Sequence, residues 1–401
     1  MISVEEALNR ILAGIGGPMP AEEVPLTAGL GRILAEDVTA RLTQPPVAVS
    51  AMDGYAVRAV DVATVPARLT VIGMAPAGRP FNGSIGPGQA VRIFTGAAVP
   101  DGADAVVIQE DTEAAGNTVT VREGAPAGRF IRPAGLDFRA GSVGLTAGKR
   151  LTSRDIGLAA AMNRPWLRLR RRPRVAILST GDELVNPGES PQVGQIVSSN
   201  AFGLAAFVTA EGGEPLMLGI SPDDPQQLLQ SIEAAAGADL LVTSGGASVG
   251  EHDLIANALG AAGMELDFWK IAMRPGKPLL FGRLGRMPVL GLPGNPVSSL
   301  VCAIVFLRPA LAAMLGQKAG GSSETTARLG RDLPENDRRQ DYLRSELTVD
   351  QNGLVATPFE RQDSAMLSLL VRAGCLVIRP PHAAAARAGE AVQILRLDGL
   401  V

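Results

Sequence analysis

The stretch Thr243-Ser-Gly-Gly-Ala-Ser-Val-Gly-Glu-His-Asp253 carries the densest chemistry in this 401-residue chain. It directly follows an apolar run, Asp239-Leu-Leu-Val242, that reads as a buried strand. Its glycines let the backbone turn tightly, and Ser244, Gly245, Gly246, Ser248 and Gly250 supply hydroxyls and exposed amides. Bare amides ahead of a helix N-terminus attract anions. Asp253 stands where that helix should begin, and a carboxylate beside an anion site suits a metal ion. One loop thus offers both halves of a site for a phosphorylated substrate and its cation.

Other loops add to it. Ser179-Thr-Gly-Asp-Glu183 contains Thr180, Gly181, Asp182 and Glu183, either a cation- and hydroxyl-binding turn or a solvated one. Asp223-Asp224-Pro225 reads first as a helix cap, with metal binding as the alternative. Lys270-Ile-Ala-Met-Arg-Pro-Gly-Lys-Pro278 puts Lys270, Arg274 and Lys277 on a segment stiffened by proline, which suits a tetrahedral oxyanion. Pro293-Gly-Asn-Pro296 fixes a turn around Asn295. Further forward, Pro45-Pro-Val-Ala-Val-Ser-Ala-Met-Asp-Gly-Tyr-Ala56 sets Asp53 on a loop, and Thr95 and Asp137 add a hydroxyl and a carboxylate. Met52 and Tyr55 read as exposed, which suggests packing against a second surface.

The elements that must hold these loops follow from periodicity. Ser3 and Glu6 frame a capping box at the start of an amphipathic helix, unlike a signal peptide. Short strands at Arg68–Ile72, Gln89–Phe94, Ala105–Ile108 and Thr118–Arg122 suggest a small β module. Beyond Arg174, apolar strands alternate with helices, the pattern of a doubly wound parallel sheet, with the polar loops at its carboxyl edge. Arg168, Arg170, Arg171, Arg172 and Arg174 read as a solvated linker into that domain. The tail returns to short strands and reads as a β-barrel. The expected organisation is 1–45 with 141–172 as a helical linking domain, 46–140 as a β-rich inserted module, 173–320 as the α/β domain, and 327–401 as the barrel. Gly320–Thr326 reads as the linker before that barrel.

Composition sets limits. Net charge is -3 and aromatics are 3%, which disfavours nucleic-acid binding. Cys302 and Cys375 lie in apolar runs and read as buried. The longest apolar stretch, Ser298–Leu307, is expected to break at Arg308-Pro309, too short for a bilayer. The reading is a soluble cytoplasmic protein. There is no zinc spacing, Ser-His-Asp set, GxGxxG or P-loop. Carboxylates with a metal, plus cations, remain: the means for electrostatic catalysis on an anion.

SAMDGYA, STGDEL, SGGASVGEHD, RPGKP and GLPGNP, in that order, resemble the MoeA family of molybdopterin molybdenumtransferases, shared with the E domain of gephyrin. The tail from Arg361 to Leu370 is similar to that family's last domain. The resemblance implies an α/β multidomain fold: a MoaB/MogA-like doubly wound domain, a small β-rich module and a C-terminal β-barrel, in an elongated homodimer. It implies the final step of molybdenum cofactor synthesis, in which adenylylated molybdopterin and molybdate give the cofactor and AMP with Mg2+. It implies functional positions at Asp53, Thr95, Asp137, Glu183, Asp223 or Asp224, Asp253, Lys270, Arg274, Pro293, Pro296, Arg344 and Ser364. Catalytic roles fall to Asp53, Asp137, Glu183, Asp253, Lys270 and Arg274, and metal binding to Glu183, Asp223, Asp224 and Asp253. The upstream adenylyltransferase and acceptor molybdoenzymes are implied partners; nucleic acid and membrane are not. Arg274 stands where some members have Lys, and Ala373-Gly374 where Ala-Asn is usual. A related adenylyltransferase, a non-enzymatic scaffold and a tungsten-specific paralogue stay open as alternatives.

Overall fold

The computed structural model describes residues 1–245, 254–317 and 324–397. Its central sheet has six strands in the order Glu214–Ser221, Arg174–Thr180, Leu240–Ser244, Met287–Leu292, Leu280–Leu284, Met264–Trp269. The first four run parallel, as the βα alternation predicts. The last two pairings are antiparallel, which that reading does not anticipate. Gly285, at φ 59°, allows the short turn that reverses the chain between Leu284 and Met287. Two reversals restore the original direction. The carboxyl end of Met264–Trp269 therefore lies at the same edge as those of the parallel strands.

Alternate residues of the buried strand Arg174–Thr180 face opposite layers, as the two-residue period requires. Val175 and Ile177 join a core with Leu204, Val208, Val301 and Phe306, while Ala176 and Leu178 pack with Leu228, Ile232 and Leu259. The sheet is thus covered by helices on both faces. The first helix, Val4–Gly14, belongs to this layer: Val4, Ala7 and Ile11 pack into the core that holds Phe281 and Val305. Ser3 Oγ caps it through the Glu6 amide at 3.0 Å, while the Glu6 carboxylate pairs with Arg10. The linking domain's own core begins later, with Val24, Leu34, Leu145, Leu169 and Met162.

The helical stretch Pro296–Met314 does not stop at Arg308-Pro309. Pro309 has no amide hydrogen and would crowd the carbonyl four residues back. A π-helical turn, Ala303–Leu307, absorbs the mismatch, and the Arg308 amide reaches back five residues to the Ala303 carbonyl. This stretch is long and apolar enough to cross a membrane, but 72% of it is buried in the protein core. Cys302 lies within it, fully buried, and burial pushes its thiol pKa up.

The β module is a six-stranded sheet in the order Ala105–Ile108, Gly54–Val57, Gln89–Ile93, Ala67–Ala75, Thr118–Val121, Thr112–Ala115. The C-terminal region closes a five-stranded barrel from Gln340–Asp350, Gly353–Pro358, Glu324–Leu329, Ala391–Arg396 and Cys375–Arg379, the last pairing again with the first. Its first strand starts at Glu324, so Thr325 and Thr326 are barrel rather than linker. The arginine run is not a loose linker either: Trp166–Arg170 is a strand, and Arg171 grips Asp239 with two hydrogen bonds of 2.7 and 2.9 Å.

Candidate functional site

The carboxyl edge of the central sheet gathers the polar loops tightly. Gly181 donates to the Ser221 carbonyl at 3.3 Å. A Cβ on Gly245, at φ 99°, would sit 2.4 Å from the Thr180 carbonyl oxygen, so only glycine fits where these two strands part. Asn200 ties two more loops, donating from Nδ2 to Ser244 Oγ at 2.8 Å and to the Gly294 carbonyl at 2.7 Å. No local signal marks Asn200 as a strut, because its partners lie 44 and 94 residues away. Thr180 Oγ1 and Thr243 Oγ1 are buried here without a hydrogen-bond partner among the described residues. Unpaired buried hydroxyls at an open sheet edge are what a polar ligand would satisfy. Gly246, Ser248, Gly250 and Asp253 lie outside the described residues.

The acids divide by role. Asp182 Oδ1 accepts from the Asp223 amide at 3.0 Å, which brings the two loops together. Desolvation by its neighbours, then the charges of Asp182 and Glu183, push the Asp223 carboxyl up. Asp223 thus feels two neighbouring negative charges, an imbalance that a hard cation relieves. No group of three His, Cys, Asp or Glu among the described residues has metal-holding geometry. Asp224 instead caps the helix Pro225–Glu233, accepting from the Gln227 amide at 2.9 Å.

Lys270 leaves the strand Met264–Trp269 at this same edge, in a left-handed conformation with φ 73°. A side chain there is strained, a cost typical of functional sites. Its ammonium lies 3.8 Å from the Trp269 ring centroid. Gly276 turns against the core: a Cβ there would meet Cys302 Sγ at 2.5 Å. Lys277 returns the chain, its carbonyl accepting from Ile271 at 3.0 Å. Neither lysine makes an ion pair among the described residues. Arg274 differs: its guanidinium is held by Asp341, Asp337 and Asn336 of the barrel.

A second tie joins the barrel to the Pro293–Pro296 turn. Asn295 Nδ2 donates to Ser364 Oγ at 3.0 Å, and the Val297 amide donates to the Ser364 carbonyl at 3.2 Å. Pro296 opens the following helix at its first position, where the missing amide is no loss. Arg344 is 1% exposed and holds the Ser364 segment from inside, donating to Gln362 Oε1, the Asp363 carbonyl and the Met366 carbonyl. Burial lowers its pKa. At Ala373-Gly374, a Cβ on Gly374 would stand 2.7 Å from Leu347 Cβ, which explains the glycine.

The β module carries the remaining acids. Asp53 accepts two hydrogen bonds from Thr95. Asp137 lines a cleft of about 600 Å³ with Arg79, Arg132 and Gly96. Gly54 beside Asp53 lies against strand Ala105–Ile108, where a Cβ would be 1.9 Å from the Val107 oxygen. Tyr55 is buried in the module's own core, with Arg92 4.9 Å above its ring, so it is not the exposed contact the sequence suggests; Met52 is 39% exposed. Among the described residues, no hydrogen bond or ion pair joins 46–140 to the α/β domain. One chain thus gives two separate groups: Asp53, Thr95 and Asp137 in the module, and the carboxyl-edge loops with the barrel.

Known proteins are similar to this chain in sequence and fold. The MoeA N-terminal region (domain I and II) matches residues 2–163, a probable molybdopterin binding domain matches 176–313, and the MoeA C-terminal region (domain IV) matches 326–397. Fold and site together define a multidomain protein of the MoeA type. A molybdopterin molybdenumtransferase of Haemophilus influenzae is 35% identical over 98% of this chain and 98% of its own length. One of Nostoc sp. is 40% identical over 80% of this chain and 76% of its own. The crystal structure of a molybdopterin biosynthesis MoeA protein from Pyrococcus horikosii superposes with a TM-score of 0.87 at 32% identity, covering 99% of each chain. The chain belongs to the molybdopterin molybdenumtransferase family, a family of transferases.

Proposed function

We propose that this chain inserts molybdenum into adenylylated molybdopterin, using molybdate and releasing AMP, the last step of molybdenum cofactor synthesis. The observation that carries this reading is the shared edge of the central sheet. Tight amide turns at Gly181 and Gly245, the acids Asp182 and Glu183 whose charges act on Asp223, and Lys270 and Lys277, which make no ion pair among the described residues, all meet it. Amides and buried hydroxyls suit phosphate, oxygen donors suit Mg2+, and ammonium groups suit a tetrahedral oxyanion.

Each residue's part follows from its chemistry. Thr180, Gly181, Ser244 and Gly245 bind the substrate's phosphate. Pro293, Asn295 and Pro296 shape the wall beside it, and Ser364, steadied by Arg344, closes that wall from the barrel. Glu183 and Asp223 would hold magnesium, with Asp253; Asp224 is left to its cap. Bound there, the ion would neutralise charge on the substrate's pyrophosphate. Lys270 and Lys277 neutralise molybdate. Asp53 and Asp137 orient the oxyanion or move a proton from the attacking oxygen. The substrate's dithiolene sulfurs become the metal ligands, since both cysteines are buried.

The site is completed in a homodimer. Asp53 and Asp137 belong to a module with no hydrogen bond to its own α/β domain among the described residues, so a partner subunit's module supplies them. Residence in the cytoplasm, and exchange with an upstream adenylyltransferase and acceptor molybdoenzymes, belong to the same reading. The decisive assay is molybdate-dependent AMP release from adenylylated molybdopterin, repeated with tungstate. AMP release that does not respond to molybdate would sink it, and turnover of molybdopterin with ATP alone would point to an adenylyltransferase.

A further inference from the structure

Arg274 sits in the cation loop, but its donors are committed elsewhere. Nε donates to Asp341 Oδ1 at 2.8 Å, and one terminal nitrogen donates to Asp341 Oδ2, completing a fork. The other terminal nitrogen reaches Asp337 Oδ2 at 3.2 Å, and Asn336 Oδ1 accepts at 3.3 Å. Asp341 is only 4% exposed. The backbone repeats the connection. Met273–Arg274 pairs in parallel with Gln340–Asp341, and the Gln340 amide donates to the Ala272 carbonyl at 2.9 Å. An arginine that left this fork for an oxyanion would strand a buried carboxylate, which is strongly unfavourable.

We propose that Asp341 is a positioning residue: through Arg274 it latches the barrel to the 270–277 loop, and this latch sets Lys270 and Lys277 at the sheet edge, while Arg274 makes no direct contact with the oxyanion. A lysine could not replace the fork, because a single ammonium cannot meet both carboxylate oxygens in one plane. The kinetic part of this inference rests on the transferase reading; the structural part does not.

The test uses full-length wild type, Arg274→Ala, Asp341→Asn, their double variant and the swap R274D/D341R. A displaced catalytic loop lowers rate without changing ligand chemistry, so each single variant should lower kcat by about 10- to 100-fold. The apparent molybdate KM should stay within roughly twofold, because the lysines that bind the anion remain. Residues acting as one unit are not additive, so the double variant should be no slower than the slower single one, and the swap should recover part of the loss. Hydrogen exchange at the Gln340 amide, whose acceptor is the Ala272 carbonyl, should quicken in both single variants. The latch is overturned if Arg274→Ala weakens molybdate binding while Asp341→Asn does not. It is equally overturned if the Gln340 amide exchanges as in wild type, or if only the melting temperature falls and kcat holds. Failure of the wild type to insert molybdenum would remove the transferase reading and leave the exchange measurement to decide the latch.

Discussion

Asp53 Oδ1 accepts two hydrogen bonds from Thr95, from the amide at 2.7 Å and from the hydroxyl at 2.8 Å. The amide bond, then the hydroxyl bond, hold the Asp53 carboxyl below the ordinary carboxylate range. A depressed pKa keeps the ionised form as pH falls, so the carboxylate's contribution is present above the ordinary value and is lost only below it. Thr95→Val removes the hydroxyl bond and keeps the amide bond. The Asp53 pKa should rise, and the acid limb of the pH–rate profile should move to higher pH. An acid limb that stays in place would show that Asp53 does not govern it.

Asp223 and Asp224 are neighbours with separable roles. Asp224 caps a helix, and removing a cap of this kind costs about 1 kcal/mol. Asp224→Ala should therefore lower the denaturation midpoint and leave the magnesium requirement as it was. Asp223→Ala removes an acid that Asp182 and Glu183 already press upon, so the magnesium concentration for half-maximal rate should rise. Magnesium titrations of both variants separate the two; equal shifts would contradict the division.

Arg171 and Asp239 anchor the start of the α/β domain. Desolvation works against the Asp239 carboxylate, but hydrogen bonds from Arg171 and the Arg174 amide outweigh it and lower its pKa. Asp239→Asn leaves the guanidinium without its counter-charge in a partly buried place, a loss of about 2 kcal/mol for charged hydrogen bonds. The sign for pH follows from the depressed pKa: the contribution is full above the ordinary aspartate value and disappears as pH falls through the folded one. Denaturant melts should show a wild-type advantage over the variant at neutral pH that shrinks in strong acid. A difference independent of pH would rule out the ion pair as its source.

These cases show what a lone sequence can carry. The parallel strands were legible because each is an uninterrupted apolar run ending in a polar turn, as in Arg174–Thr180 and Leu240–Ser244. The antiparallel strands Leu280–Leu284 and Met264–Trp269 were not. The first is apolar throughout its buried half, and the second mixes Glu265 and Asp267 with Phe268, so neither declares a direction. The loop residues that resemble the MoeA family stood out by spacing. Their partners did not, since Arg274 meets Asp341 67 residues later and Asn295 meets Ser364 69 residues later. Tyr55 misled for a physical reason: glycine on one side and a short strand hid the fact that its ring packs inward.

The separation of Asp53 from Glu183 within one chain gives the sharpest test of a shared site. If each site takes Asp53 from one subunit and Glu183 from the other, a dimer of Asp53→Asn with Glu183→Gln has one site with both lesions and one with neither. Random reassortment of equal amounts makes half the dimers mixed, so about a quarter of all sites should be intact. Two nearly inactive preparations, mixed, denatured gently and reassembled, should thus recover about a quarter of wild-type molybdenum insertion, by counting sites in a two-fold dimer. If both acids served the same chain's site, every site in every dimer would carry one lesion, and mixing would restore nothing. Activity that stays at the level of the separate variants, with mixed dimers verified by mass, would place both acids in one subunit's site.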